Sequence, residues 1–182
     1  DATERALNET INERAKQMSA EFERIGEIPF DSKRKCMSVV VKNKNGENYV
    51  MTKGGADVVL TKASHYIENG KIKRMDSGAR KRFQQQNDIM ASKALRVLAG
   101  AYKKITAEEA KLEIGLVFAG FAGLMDPPRE EVPAAVKMCE EAGIRTIMIT
   151  GDHKVTAAAV AREVNIKSKN VLTGEEISSM ND

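Results

Sequence analysis

Two turn signals constrain this chain more than anything else in it. Asn43-Lys44-Asn45-Gly46 stands between the β-prone runs Cys36 to Val41 and Tyr49 to Thr52, and Asn69-Gly70 marks a second hairpin. Asn and Gly accept the positive φ that tight hairpins need, so each signal turns the chain back on itself. Ahead of them, Ala6, Leu7, Ile11, Ala15, Met18, Phe22 and Ile25 recur at three- and four-residue steps and predict an opening helix, with Asp1 and Glu4 as its capping box. Gly54-Gly55 breaks the second strand. Helices are expected over 56–63 and 77–94, and a strand over 96–102. The front of the chain therefore reads as α+β, an antiparallel sheet flanked by helices.

The pattern changes after Lys111. A buried strand over 116–121, an amphipathic helix over 130–141 closed by Gly143, a strand over 145–149 and a helix over 154–164 follow one another, and Val171-Leu172 starts a third strand. Strand–helix–strand order with short loops predicts a βαβ unit in a parallel sheet. The boundary falls in the charged stretch around Thr106-Ala107-Glu108-Glu109, giving one domain over 1–108 and another over 109–182.

Composition removes several classes. The longest apolar stretch, Ile114 to Met125, is far short of the ~20 residues of a membrane helix. With 29 Lys+Arg against 26 Asp+Glu the net charge is +3, too mild to imply a nucleic-acid partner. Trp is absent and aromatics are scarce, which argues against a stacking platform for single strands. Cys36 and Cys139 read as reduced thiols, and two His and two Cys without close spacing give no zinc site. The chain opens Asp1-Ala2-Thr3-Glu4, without Met or a signal peptide, as a piece of a longer protein would.

Some segments can carry chemistry. Met148-Ile149-Thr150-Gly151-Asp152 sits where a strand is expected to end and a helix to begin, the edge at which parallel sheets bind ligands. Helix-start N–H groups suit a phosphoryl group, Thr150 adds a hydroxyl, Gly151 admits close backbone approach, and Asp152 can order water or a cation. The same triplet also makes an ordinary turn and N-cap. Asp126-Pro127-Pro128-Arg129 stiffens the exit from the previous strand, either facing the ligand edge or serving as a rigid linker. Phe30, followed by Lys33, Arg34 and Lys35, can stack on a purine, or be a core ring beside a solvated basic turn. Lys53-Gly54-Gly55 can bring a cation and bare backbone to a triphosphate, or be a plain strand-to-helix turn. No Walker loop occurs. Arg96 can contact a phosphate but says little alone.

The order of these pieces is more telling than any one of them. Asp1-Ala2-Thr3-Glu4-Arg5-Ala6-Leu7 resembles the D-P-T-E-x-A-L segment of P-type cation-transporting ATPases. Pro29-Phe30-Asp31-Ser32-Lys33-Arg34-Lys35-Cys36-Met37-Ser38 resembles their P-F-D-S-x-R-K-x-M-S, Lys53-Gly54-Gly55-Ala56-Asp57 their K-G-A-P-E/D, and Leu95-Arg96-Val97-Leu98-Ala99 their L-R-x-L-A. Asp126-Pro127-Pro128-Arg129 and Met148-Ile149-Thr150-Gly151-Asp152 match D-P-P-R and M-I-T-G-D unchanged. The P-F-D-S form and the segment Glu140 to Arg145 are closest to bacterial calcium pumps. Two departures stand out: Ala2 replaces a proline, and Gly55-Ala56 replaces Ala-Pro, which loosens the turn after Lys53.

The resemblance implies a nucleotide-binding domain followed by an incomplete, haloacid-dehalogenase-like (Rossmannoid) phosphorylation domain. It implies ATP as ligand, with Mg²⁺ in the intact pump. Glu4 would hold the adenine end, Phe30 would stack on the base, and Lys35, Lys53 and Gly54 would line the pocket. Arg96 would meet the phosphates. Thr150, Gly151 and Asp152 would stand near the transferred phosphoryl group, with Asp126 and Arg129 at the hinge and facing edge of that domain. The implied partners are the rest of the same polypeptide: membrane helices, an actuator domain and the missing part of the phosphorylation domain. The implied location is the cytoplasmic face of a membrane, a bacterial plasma membrane by the calcium-pump likeness. D-K-T-G-T and T-G-D-G-x-N-D are absent, so the isolated chain is expected to hydrolyse nothing. A soluble haloacid-dehalogenase-type phosphatase needs an Asp-x-Asp that the sequence lacks. A non-catalytic interaction module is the other rival. Lacking flanking strands, the rear half is expected to expose apolar surface and to self-associate.

Overall fold

The β-prone run that opens at Cys36 folds as a strand. Along the strand from Cys36, Cys36 and Ser38 are buried while Met37 and Val39 are half-exposed, so one face meets the core and the other is open. The computed structural model describes residues 2–106, 112–125, 127–152, 154–167 and 170–180. In chain order the elements are α1 (Ala2–Glu9), α2 (Glu13–Ser19), β1 (Phe22–Asp31), β2 (Cys36–Asn43), β3 (Asn48–Gly55), α3 (Ala56–Lys62), β4 (Ala63–Glu68) and β5 (Lys71–Arg74). They continue as α4 (Ser77–Ala91), β6 (Leu95–Ile105), β7 (Leu116–Met125), α5 (Val132–Glu141), α6 (Lys154–Glu163) and α7 (Gly174–Ser178). The chain divides into two compact units, Asp1–Asn87 with Val97–Leu124, and Asp88–Arg96 with Met125–Asp182.

The first unit is built on a seven-stranded sheet in the order β1-β2-β3-β6-β7-β4-β5. Both turn signals work as read. Asn43 Oδ1 accepts from the N–H groups of Asn45 and Glu47, and Gly46 takes φ 80°. Asn69 and Gly70 have φ 52° and 74°, the paired positive values of a tight hairpin. The opening helix differs from expectation. It breaks after Glu9, where Asn12 caps α2 by accepting from Ala15 N–H at 2.9 Å, and Phe22 and Ile25 belong to β1. Pairing with β2, from Phe22 opposite Asn43 to Asp31 opposite Cys36, wins over the helical spacing of those apolar residues. The capping box assigned to Asp1 and Glu4 lies outside the described residues.

A second difference is larger. The strand at 116 was expected to open a parallel sheet in the rear of the chain, beyond a boundary at 108. Instead β7 pairs parallel with β4 inside the first unit, Ala63 opposite Leu116 and Tyr66 opposite Phe118. Its side chains complete the core. Leu116 and Phe118 are buried with Val50, Val59, Leu60, Tyr66 and Ala99. Phe83 of α4 joins them, its ring centroid 5.2 Å from that of Tyr66 and 4.8 Å from that of Phe118.

In the second unit, residues 127–180 contain helices and irregular segments but, among the described residues, no strand. The strands expected at 145–149 and 171–172 are not formed, and the α/β segment is not present as such. A strand needs a neighbour for its backbone N–H and C=O groups. The neighbour expected for these two, β7, is committed to the other sheet. The side chains of the unformed strand stand in solvent, Ile149 at 94% exposure. The helices obey their local signals. Pro133 lies in the first turn of α5, and Gly143, at φ 74°, ends it. Ile144 N–H then donates to Cys139 O at 2.8 Å. Thr173 and Glu176 form the capping box of α7.

Phe118→Ala should cost about 3–5 kcal/mol by removing a buried ring, whereas Ile149→Ser should change stability by less than about 0.5 kcal/mol. Urea midpoints of the two variants check the contrast.

Candidate functional site

One aspartate folds the loop between β1 and β2. Asp31 Oδ1 accepts from Lys33 N–H at 2.9 Å and from Arg34 N–H at 2.8 Å, and Asp31 O accepts from Lys35 N–H at 2.7 Å. This turn puts Lys35 in the left-handed region, φ 50°. The strained residue is held from outside the turn, because Gly55 N–H donates to Lys35 O at 3.0 Å. Such proximity requires the glycine before it. A Cβ on Gly54 would run into the Lys35 carbonyl and lie 2.5 Å from Cys36 Cβ. Gly54 is thus a buried point of close approach between Cys36 of β2 and Ala99 of β6, its partners in the sheet.

These contacts gather the ends of β1, β2 and β3. Phe30 is 64% exposed on β1, one residue before Asp31, which pairs with Cys36. Lys53 pairs with Met37 on β2 and Gly100 on β6. A shallow groove of about 390 Å³ runs over the open face of the sheet, lined by Arg24, Glu27, Met37, Val39, Met51, Thr52 and Lys53. Its floor is apolar at Met37, Val39 and Met51, with the Arg24–Glu27 ion pair and Lys53 also in the lining. Phe30 and Lys35 stand outside the lining, at the same end of the three strands.

The other expected residues lie as follows. Glu4 falls in α1, and its side chain, like Asp126, lies outside the described residues. Arg129 is exposed before α5, its carbonyl accepting from Val132 N–H. Arg96 belongs to the second unit, where its Nε donates to Asp152 Oδ1 at 3.2 Å. Thr150 Oγ1 donates to Asp152 Oδ2 at 2.8 Å, and Gly151 borders open space. Thr150 and Asp152 therefore remain beside the start of α6, although no strand leads into them.

Sequence reasoning missed a cluster behind the groove. Glu113, only 11% exposed, accepts from Arg34 Nη1 at 2.5 Å, Ser38 Oγ at 2.7 Å and Lys62 Nζ at 3.3 Å. Ser38 spends its proton on Glu113, so it accepts from Thr52 Oγ1 at 2.8 Å. Cys36 Sγ lies 3.7 Å from Glu113 Oε2. Burial raises the Glu113 carboxyl, but the bonds from Arg34, Ser38 and Lys62 outweigh it and hold the group at about 2. The Arg34 guanidinium is raised, first by its bond to Glu113. Burial, then the Glu113 charge, pushes the Cys36 thiol up, leaving a protonated and inert sulfur. One signal for this cluster was legible: Ser38 and Thr52 fall on the inward face of β2 and β3, where a polar side chain demands a partner.

Among the described residues no group of three His, Cys, Asp or Glu is placed to hold a metal ion, and no helix is long and apolar enough to cross a membrane. The family model for the cytoplasmic domain N of P-type ATPases matches residues 1–131. The chain is 39% identical, over its whole length, to calcium-transporting ATPase 1 of Bacillus cereus, and covers 21% of that protein. It is 38% identical to a calcium-transporting ATPase of Listeria monocytogenes, with 96% of the chain and 20% of the relative covered. It is 32% identical to a P-type magnesium-transporting ATPase of Salmonella typhimurium, with 97% and 20% covered. The chain thus spans about a fifth of the length of these relatives.

Glu113 has a depressed folded pKa, so the stability it confers is complete above its ordinary value of 4.5 and is lost as pH falls toward about 2. The urea-midpoint gap between the unaltered chain and Glu113→Gln should stay constant above about pH 5 and narrow by about pH 2.5. Titration of the other carboxylates is common to both proteins and cancels in the difference.

Proposed function

The chain belongs to the P-type ATPases, matching their cytoplasmic domain N, and on that premise we propose that it holds ATP for a cation pump. The observation that carries this reading is the pairing of the ends of β1, β2 and β3: exposed Phe30 precedes the turn that ends at Lys35, Gly54 packs against that turn, and Lys53 lines the groove over the neighbouring strands. Phe30 stacks on adenine, worth ~1–3 kcal/mol by analogy with base stacking. Met37 and Met51 floor the groove, and Lys35 and Lys53 offer charge to the base and phosphates. Gly54 keeps the Lys35 turn against β3. Glu4 holds the adenine end, and Arg96 meets a phosphate.

In the whole protein, ATP bound here passes its γ-phosphoryl group to the carboxylate of an aspartate outside this chain. The Pγ–O bond to ADP breaks as the bond to the carboxylate oxygen forms. Thr150, Gly151 and Asp152 stand near that transfer, with Asp126 and Arg129 at the adjoining hinge. Among the described residues no group of three His, Cys, Asp or Glu is placed to hold Mg²⁺. Hydrolysis of the aspartyl phosphate drives cation movement. Calcium is the proposed cargo, because the relatives from Bacillus cereus and Listeria monocytogenes, at 39% and 38% identity, are named for it, whereas the relative named for magnesium is 32% identical. The chain is placed at the cytoplasmic face of a membrane, joined to the pump's membrane helices, actuator domain and remaining phosphorylation domain.

ATP titrated into the chain, followed by amide chemical shifts, should give saturable changes around Phe30, Lys35 and Lys53. Phe30→Ala and Lys53→Ala should each weaken binding by about fivefold or more. No saturable change up to several mM, or unchanged affinity in both variants, overturns the reading.

A further inference from the structure

The carboxylate of Glu113 sits behind the proposed nucleotide site and touches none of its residues, yet it is bonded to what shapes them. Its two cationic partners lead in different directions. Arg34 belongs to the turn itself, and its second guanidinium nitrogen, Nη2, donates to the carbonyl of Pro29, next to Phe30. Ser38 and Cys36 open β2, immediately after Lys35. Lys62, by contrast, ends α3, where its own carbonyl also accepts from Gly115 N–H at 3.0 Å. One arm of the network thus sets the turn and the other anchors the segment that carries Glu113.

Stability alone explains such a cluster poorly. Ions removed from water recover their desolvation cost only with good geometry, and apolar replacements often serve the fold as well. The bonds to Arg34, Ser38 and Cys36 converge on a turn that is strained at Lys35 and pinned from its far side by Gly55 N–H. We propose that Glu113 is a positioning residue for nucleotide binding, fixing through Arg34 and the start of β2 the turn that presents Phe30 and Lys35. The proposal rests on the ATP-binding reading above.

The sign of one effect separates this role from simple electrostatics. Removing a negative charge near an anionic ligand should tighten binding if only the field matters. Loss of positioning should weaken it. ATP dissociation constants at fixed ionic strength are compared for the unaltered chain, E113Q, R34M, K62M and the E113Q/R34M double variant, with amide exchange of Lys35 and Gly55 measured in each. E113Q and R34M should bind about 5- to 20-fold more weakly, and the double variant no more than about twofold worse than the weaker single. K62M, which breaks the other arm, should lower the melting temperature but keep ATP affinity within about twofold. The Lys35 and Gly55 amides should exchange at least about tenfold faster in E113Q and R34M, and not in K62M. Binding by the unaltered chain that E113Q leaves unchanged or tightens overturns this inference alone. So does a K62M defect as large as that of E113Q. Absence of saturable binding by the unaltered chain removes the ATP reading and this inference with it.

Discussion

A missing side chain sets the geometry of the front of this protein. The Lys35 carbonyl occupies the space that a Cβ on Gly54 would fill, and from there it receives the N–H of Gly55. That single contact closes the β1–β2 turn onto the end of β3. It also explains how a lysine with φ 50° is tolerated: the strain is local, and the hydrogen bonds from Gly55 and to Asp31 offset it from two sides. The glycine that a sequence motif offers as a ligand contact acts first as the place where two strands and a turn meet.

Much of the first unit was legible because its signals are local. Asn43 and Gly46 fold a hairpin with their own atoms, Asn69 and Gly70 turn another, and Asp76 caps the start of α4 by accepting from Ala79 N–H. The opening segment misled because Phe22 and Ile25 continue a helical spacing, while Asn43, the cross-strand partner of Phe22 in β1, lies about twenty residues on. Phe30, Lys35 and Lys53 could be named as candidates from chain order and motif. Glu113 could not. Its partners Arg34, Ser38 and Lys62 are 51 to 79 residues away in sequence, and no periodicity announces such a meeting.

The rear of the chain shows the converse. Arg145 to Ile149 has the composition of a buried strand, and composition is not enough. β-structure is a property of pairs, and β7 spends its pairing on β4 of the first unit. What remains is a set of helices whose caps are satisfied locally, at Gly143 and at Thr173, joined by segments whose apolar side chains face water. Ile147 and Ile149, at 70% and 94% exposure, are left without the burial that such a composition suits.

The alternation along β2 and β3 divides the chemistry of the first unit between two faces of the same residues' backbone. Met37, Val39, Met51 and Lys53 line the open groove, while Cys36, Ser38 and Thr52 turn inward to the ion-paired core. Because register is fixed by Met37 opposite Lys53 and Ser38 opposite Thr52, neither face can shift without the other. A polar cluster on the inner face of the sheet and an open groove on its outer face are therefore mechanically one object. The inward face is held by the bonds that converge on Glu113. The outward face is free to be shallow and half apolar because its geometry is set from behind.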